Sequence, residues 1–301
     1  MPLWLTGRPN GHRLEEVAGP DGLPIPVRVW DHPAPEAVVV YLHGQGEHSG
    51  PFTAMGDELQ RLGLAVFAPD QRGFGLSPAP RGDIDRFERF VEDVAAVVGL
   101  ARERYPDRPC FLMGFSMGGH VALRAAAHLD PHLAGVVALA PGLKLRRLPL
   151  GALARLAVRM VLAPDRPEVW PLPVPVCRHP EHDQRTAADE AWVRRYTPRF
   201  WLATWRSIRR AFREAPRVRL PVLILVPEHD YLVDVRAAAA YFRRLGSPDR
   251  EFRVVPRAYH NLVADPEMPD LARQVAEWIR ARSRRQRQMA SQNGNGVGET
   301  K

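Results

Sequence analysis

The sequence is short of cysteine and nearly devoid of lysine. Its two cysteines, Cys110 and Cys177, are too few for a disulfide-stapled scaffold. No Cys or His spacing forms a metal-ligand set, so neither a metal nor a cofactor is expected. No hydrophobic run approaches the ~18–20 apolar residues of a membrane-spanning helix. The stretch from Met1 to Arg13 lacks the apolar core of a secretory signal. These absences point to a soluble, cytoplasmic chain. Lys144 and Lys301 are the only lysines among 42 basic residues, and the formal net charge is +8. Such a balance suits peripheral contact with an anionic membrane. The basic residues are not interleaved with aromatics as a base-stacking groove requires, so no nucleic-acid partner is expected.

Apolar residues are plentiful. A hydrophobic content of 45% over 301 residues supports a sizeable core. Short apolar runs alternate with longer helical patterns, the rhythm of βαβ units and a mainly parallel sheet. The expected strands are Val27–Trp30, Val38–Leu42, Leu64–Ala68, Cys110–Met113, Val136–Ala140, Val222–Val226 and Phe252–Val255. Their nearly continuous apolar character fits strands covered on both faces. Helices are expected at Met55–Leu62, Phe87–Arg104, after Ser116, at Val235–Leu245 and at Leu271–Arg282. Asp130-Pro131 closes the helix after Ser116.

The rhythm breaks between about 142 and 216, where the chain turns Arg- and Pro-rich and loses its strands. We read residues 1–141 and 217–282 as two parts of one core, and 142–216 as an inserted helical cap. Residues 283–301 are polar and read as a disordered tail. Within the insertion, Leu153, Leu156, Ala157, Met160 and Val161 form one apolar helical stripe, with Arg155 and Arg159 projecting to the other side. Such a helix packs on its own domain or serves as a lid against lipid, its arginines meeting phosphate. Trp192, Trp201 and Trp205 either extend its apolar surface or serve as ordinary packing.

The most pointed motif is Gly114-Phe115-Ser116-Met117-Gly118. A strand that runs through this pattern into a helix turns sharply and presents the serine hydroxyl at the end of a sheet. A serine needs a base to become a nucleophile, and the base needs a group to orient it. In such a fold the acid and the histidine follow the serine in that chain order. Asp230, four residues past Val226, is the best-placed acid; His260, five past Val255, is the best-placed base. Asp234 competes with Asp230 but reads better as a helix cap, Glu228 as a loop residue, and His229 lies in the wrong order for the base. The oxyanion of such a reaction needs two N–H donors. Met117 supplies one; the loop His43-Gly44-Gln45-Gly46-Glu47-His48-Ser49-Gly50 supplies the other, at Gln45.

These residues resemble the α/β-hydrolase superfamily, and within it the monoacylglycerol lipase, lysophospholipase and serine-aminopeptidase-like branch. The resemblance rests on His43 to Ser49, on Pro69-Asp70-Gln71-Arg72-Gly73-Phe74-Gly75-Leu76-Ser77, on Gly114 to Gly119, and on Asp230 with Tyr259-His260-Asn261-Leu262. It implies an α/β-hydrolase fold with a helical cap and a triad of Ser116, Asp230 and His260. It also implies oxyanion donors at Gln45 and Met117, and a lipid or other small-molecule ester as substrate. The expected reaction is hydrolysis of monoacylglycerols or lysophospholipids. A small-ester esterase, an acyltransferase, a peptidase or a non-catalytic lipid-binding protein are the alternatives. Serine at 116 argues against the dehalogenases and epoxide hydrolases of this fold, which use Asp. Two positions depart from the branch: Gln45, where smaller residues are usual, is expected to narrow the acyl pocket, and Phe115, where His is frequent, to alter packing beside the triad. Asp70 and Arg72 read as structural.

Overall fold

Runs such as Val38–Leu42 carry apolar residues at successive positions, so neither face of those strands can meet water. The computed structural model describes residues 11–146, 150–169 and 174–295. Its main sheet has eight strands in the spatial order β1 (Arg13–Ala18), β2 (Pro24–Trp30), β4 (Leu64–Pro69), β3 (Ala37–Leu42), β5 (Cys110–Phe115), β6 (Gly135–Leu139), β9 (Val222–His229) and β10 (Arg250–Tyr259). The β1–β2 and β2–β4 pairs are antiparallel. From β4 to β10 every neighbouring pair is parallel. Along β3, Val38, Val40 and Leu42 join the core that includes α2 (Glu88–Arg104), α3 (Met117–Leu129) and α7 (Val235–Arg244). Ala37, Val39 and Tyr41 join the opposite core, with α1 (Thr53–Arg61) and α8 (Met268–Asn295). Burying each such Val or Leu contributes about 1.5–3 kcal/mol.

The order of strands fixes where a ligand can sit. After β3 the chain adds β4 on one side, then crosses to add β5 on the other. The loops after β3 and β5 therefore diverge and leave a crevice at the carboxyl ends of the strands, the usual ligand position in an open α/β sheet.

Several elements differ from expectation. β1 is an edge strand whose alternate residues are exposed, and its pairing with β2, rather than an apolar run, holds it. The inserted segment is not strandless: β7 (Glu168–Val169) and β8 (Arg195–Tyr196) form a two-stranded sheet beside the helices α4 (Leu150–Leu162), α5 (His182–Ala188) and α6 (Pro198–Glu214). Thr197 caps α6 by accepting the Phe200 N–H, with Pro198 at the first helical position. The polar stretch after Arg282, expected as a disordered tail, continues α8 to Asn295, and Ser283 is fully buried. Its Arg, Gln, Met and Ala residues are good helix formers, which outweighed low hydrophobicity. Residues 1–10 and 296–301 and the Leu153 side chain lie outside the described residues. No helix among those described is long and apolar enough to cross a membrane.

On α4 the expected stripe splits. Leu156 is buried and Met160 half-buried, but Val161 is 81% exposed, beside Val158 and Leu162 at 55% and 75%. Arg155 points to solvent, whereas Arg159 is paired with Glu168 at 2.6 Å. The tryptophans do not widen this surface: Trp192, Trp201 and Trp205 line an internal cavity instead.

Candidate active site

The turn between β5 and α3 works only with glycine at its flanks. A Cβ on Gly114 would lie 2.2 Å from the Gly118 carbonyl oxygen, and one on Gly118 would lie 2.1 Å from that of Leu42. Between them Ser116 adopts φ 51° and ψ −114°, a conformation that L-residues avoid. The surroundings hold it there: its N–H donates to Leu139 O at 2.9 Å, and its carbonyl accepts from Gly142 N at 2.8 Å and His120 N at 3.1 Å.

β9 and β10 run further than their apolar residues suggest, reaching His229 and Tyr259. Asp230 and His260 therefore follow their strands directly. A bulge between Val255 and Tyr259, with Arg257 at φ 61°, bends the end of β10. His260 Nε2 lies 2.9 Å from Ser116 Oγ, and His260 Nδ1 lies 2.8 Å from Asp230 Oδ2. All three side chains are buried. The other carboxylate oxygen, Asp230 Oδ1, accepts from the N–H groups of Leu232 and Val233 at 2.9 and 2.7 Å. Burial works to raise the Asp230 pKa. The charge and hydrogen bond of His260, with the Val233 and Leu232 N–H groups, outweigh it and hold the carboxyl below its ordinary value. An ionised Asp230 can only accept, so Nδ1 carries the imidazole proton and the Nε2 lone pair faces the serine hydroxyl. That arrangement can take a proton from Ser116.

The rivals have other partners. Asp234 caps α7, accepting from Arg236 N at 3.0 Å, and pairs with Lys144. Glu228 accepts from Arg257 N at 2.7 Å, and His229 is exposed. Asp70 receives the N–H groups of Ser49 and Leu76, and Arg72 pairs with Asp93 and Asp21. Both brace the loops beneath the site.

The loop after β3 is fixed by its histidines. His43 Nδ1 donates to Gly44 O at 2.8 Å while Nε2 accepts from Gln71 N at 3.0 Å. Burial pushes its pKa down to about 4, so it stays neutral near pH 7. His48 Nδ1 accepts from Gly50 N, leaving Nε2–H to donate to Asp189 Oδ2 of the inserted segment at 2.8 Å. Val193 N–H reaches Gly46 O at 2.8 Å. The Tyr196 hydroxyl of the inserted segment donates to Val193 O at 2.8 Å, and Gln45 lines the cavity with Tyr196. Phe115 packs against the His260 ring with centroids 5.2 Å apart.

Ser116, Met117, Gln45 and His260 open on a cavity of about 740 Å³, walled by Leu143, Leu145, Ile208 and the three tryptophans. Among the described residues, no three His, Cys, Asp or Glu side chains come together as a metal site requires. Comparison with known proteins gives the family and the fold. The family model described as serine aminopeptidase, S33, matches residues 33–267. The chain belongs to that family. Human monoglyceride lipase is 28% identical to this S33-family chain over 266 residues, covering 87% of each. The monoacylglycerol lipase of Mycolicibacterium smegmatis is 28% identical over 268 residues, covering 87% of this chain and 95% of the relative. Among solved structures, the monoacylglycerol lipase of Paleococcus ferrophilus superposes with a TM-score of 0.75 at 28% identity, covering 86% of this chain and 99% of its own. The S33-family chain is thus a carboxylester hydrolase of the α/β-hydrolase fold.

One buried acid escaped the reading of the sequence. Glu47, inside the loop after β3, reaches both the Gly44 N–H and the Asn261 side chain. It stands in the His43–Ser49 motif that carries the resemblance, but only burial and contact reveal what it holds.

Proposed function

We propose that this enzyme hydrolyses monoacylglycerols through an acyl-enzyme on Ser116. The observation that carries the reading is the 2.9 Å and 2.8 Å relay from Ser116 through His260 to Asp230 at the base of an apolar-walled cavity. Ser116 Oγ attacks the ester carbonyl and passes its proton to His260 Nε2. Asp230 orients the imidazole and stabilises the imidazolium. The backbone N–H groups of Gln45 and Met117 hold the oxyanion. Collapse expels the glycerol oxygen, which takes the proton from His260. Water, deprotonated by the same imidazole, then attacks the acyl-enzyme, releasing the fatty acid and restoring Ser116. A cavity of about 740 Å³ suits one acyl chain with a small head.

The segment at 142–216 acts as a cap, and its exposed Val158, Val161 and Leu162, with Arg155 nearby, dock on anionic lipid. The test is a substrate panel with wild type and Ser116→Ala. Wild type is expected to prefer long-chain monoacylglycerols over lysophospholipids and over C2–C4 p-nitrophenyl esters, and the variant to lose at least ~10⁴-fold in kcat/KM. Turnover confined to short esters would reject the lipase reading. Equal turnover by the variant would reject Ser116.

A further inference from the structure

The oxyanion donor at Gln45 and the base at His260 sit on loops leaving different strands, β3 and β10, with three strands between them in the sheet. Their relative position to a few tenths of an ångström governs catalysis, so something must bind loop to loop. The Glu47 carboxyl does this directly. Its Oε2 accepts the Gly44 N–H at 3.0 Å, one residue before Gln45, and its Oε1 accepts Asn261 Nδ2–H at 3.0 Å, one residue after His260. Asn261 is itself held, its N–H donating to Val176 O at 2.6 Å and its carbonyl accepting from Ala264 and Asp265. Glu47 and Asn261 are 4% and 3% exposed, and both line the cavity.

We propose that Glu47 is a positioning residue that clamps the oxyanion loop to the histidine loop, and that the clamp is held by its ionised form. This rests on the hydrolase reading above. A carboxylate offers two acceptor oxygens, which is what the two N–H donors need; a carboxylic acid carries a hydrogen on one of them. Protonation would set that hydrogen against Gly44 N–H or Asn261 Nδ2–H, so one bond breaks or the Asn261 amide turns over. The Asn261 Oδ1 is buried without a partner, as expected when the amide is oriented by an acceptor on Glu47.

The groups around the carboxyl set its titration. Tyr41 from β3 and Tyr196 from the inserted segment face it, and burial, together with the Glu47 charge, raises both phenols, so they stay neutral. His260, the residue before Asn261, is bonded to Asp230 and Ser116, and His48, the next residue along the loop, is bonded to Asp189. Among the described residues no Lys, Arg or His forms an ion pair with Glu47. Burial therefore dominates and pushes its pKa up to about 7, against the pull of Gly44 and Asn261. The clamp is engaged above that pH and released below it.

The experiment is kcat and KM against pH for wild type, Glu47→Gln, Asn261→Ala and the double variant, with thermal midpoints at pH 5 and 8. One imidazole base gives an acid limb of unit slope; wild type is expected to fall more steeply below about pH 7, and E47Q to return to unit slope. At pH 8, each single variant loses about 10–100-fold in kcat with KM within threefold. The double variant loses no more than the worse single one, because both break one clamp. A carboxyl whose pKa is raised by folding stabilises the fold only while protonated, so wild type loses thermal midpoint between pH 5 and 8, and E47Q loses less. A purely structural Glu47 would instead give losses that follow the thermal midpoint, add in the double variant and leave the pH profile unchanged. That result with an active wild type overturns the clamp alone. An inactive wild type sinks the hydrolase reading and the clamp together.

Discussion

The strand ends below the cavity and the inserted segment above it are held to different degrees by packing. Ser116, Asp230 and His260 each stand one residue beyond a strand of the sheet, and the cores on its two faces are close to fully buried. The inserted segment packs into one of those cores through Tyr196, Phe200 and Trp201, and polar ties add to it: His48 to Asp189, Gly46 O to Val193 N, Arg199 to Asp83, and the buried Arg124 of α3 to Glu214 of α6 at 3.2 Å. Its helix α4 leaves large apolar side chains in solvent. Packing on both faces of the sheet fixes Ser116, Asp230 and His260 as one body, whereas the inserted segment packs on one core only and relies on hydrogen bonds for the rest. Damage below should appear in kcat at any substrate, and damage above in how the enzyme meets lipid.

The sharpest break falls below. Asp230→Asn keeps the shape but can no longer fix the His260 tautomer, and kcat is expected to fall about 10³–10⁴-fold with KM little changed. Steady-state kinetics on a soluble ester measures this; a loss under tenfold would remove Asp230 from the relay. A weaker effect comes from the tie between the regions. Asp189→Ala takes the acceptor from His48 Nε2–H, freeing one side of the loop that carries Gln45. About a tenfold loss in kcat/KM is expected, with roughly 1–3 kcal/mol of stability by denaturant titration. The smallest effect falls on the roof alone. Val161→Asp with Leu162→Asp should leave a soluble short ester hydrolysed within about twofold, while binding to anionic vesicles weakens severalfold. If short-ester turnover fell as far as vesicle binding, roof and floor would not be separable.

The same contrast explains what could be read in the sequence. Strands buried on both faces declare themselves by continuous Val, Leu and Ile, and the glycines at 114 and 118 mark a turn that no side chain would fit. The order of Ser116, Asp230 and His260 was legible because each follows such a strand. The last residues of β9 and β10 were not, since Pro227 and His229 are paired with Val255 and Tyr259 across a bulge rather than held by their own preference. β1 was hidden for the same reason. The faces of α4 were misjudged because helical period reports which residues share a side, not whether a partner covers that side. Glu47 was visible as a motif residue but its role was not, because an acid in a polar loop looks solvated until the fold closes over it.

The central claim is that Ser116 is the activated nucleophile of this relay, and mapping the adduct of a fluorophosphonate probe tests it most directly. After brief exposure at pH 8, mass spectrometry of the digested enzyme should find one modified peptide, with the label on Ser116, and none in His260→Ala. An unlabelled Ser116 in the active wild type, or a label carried by a different residue, would contradict the account.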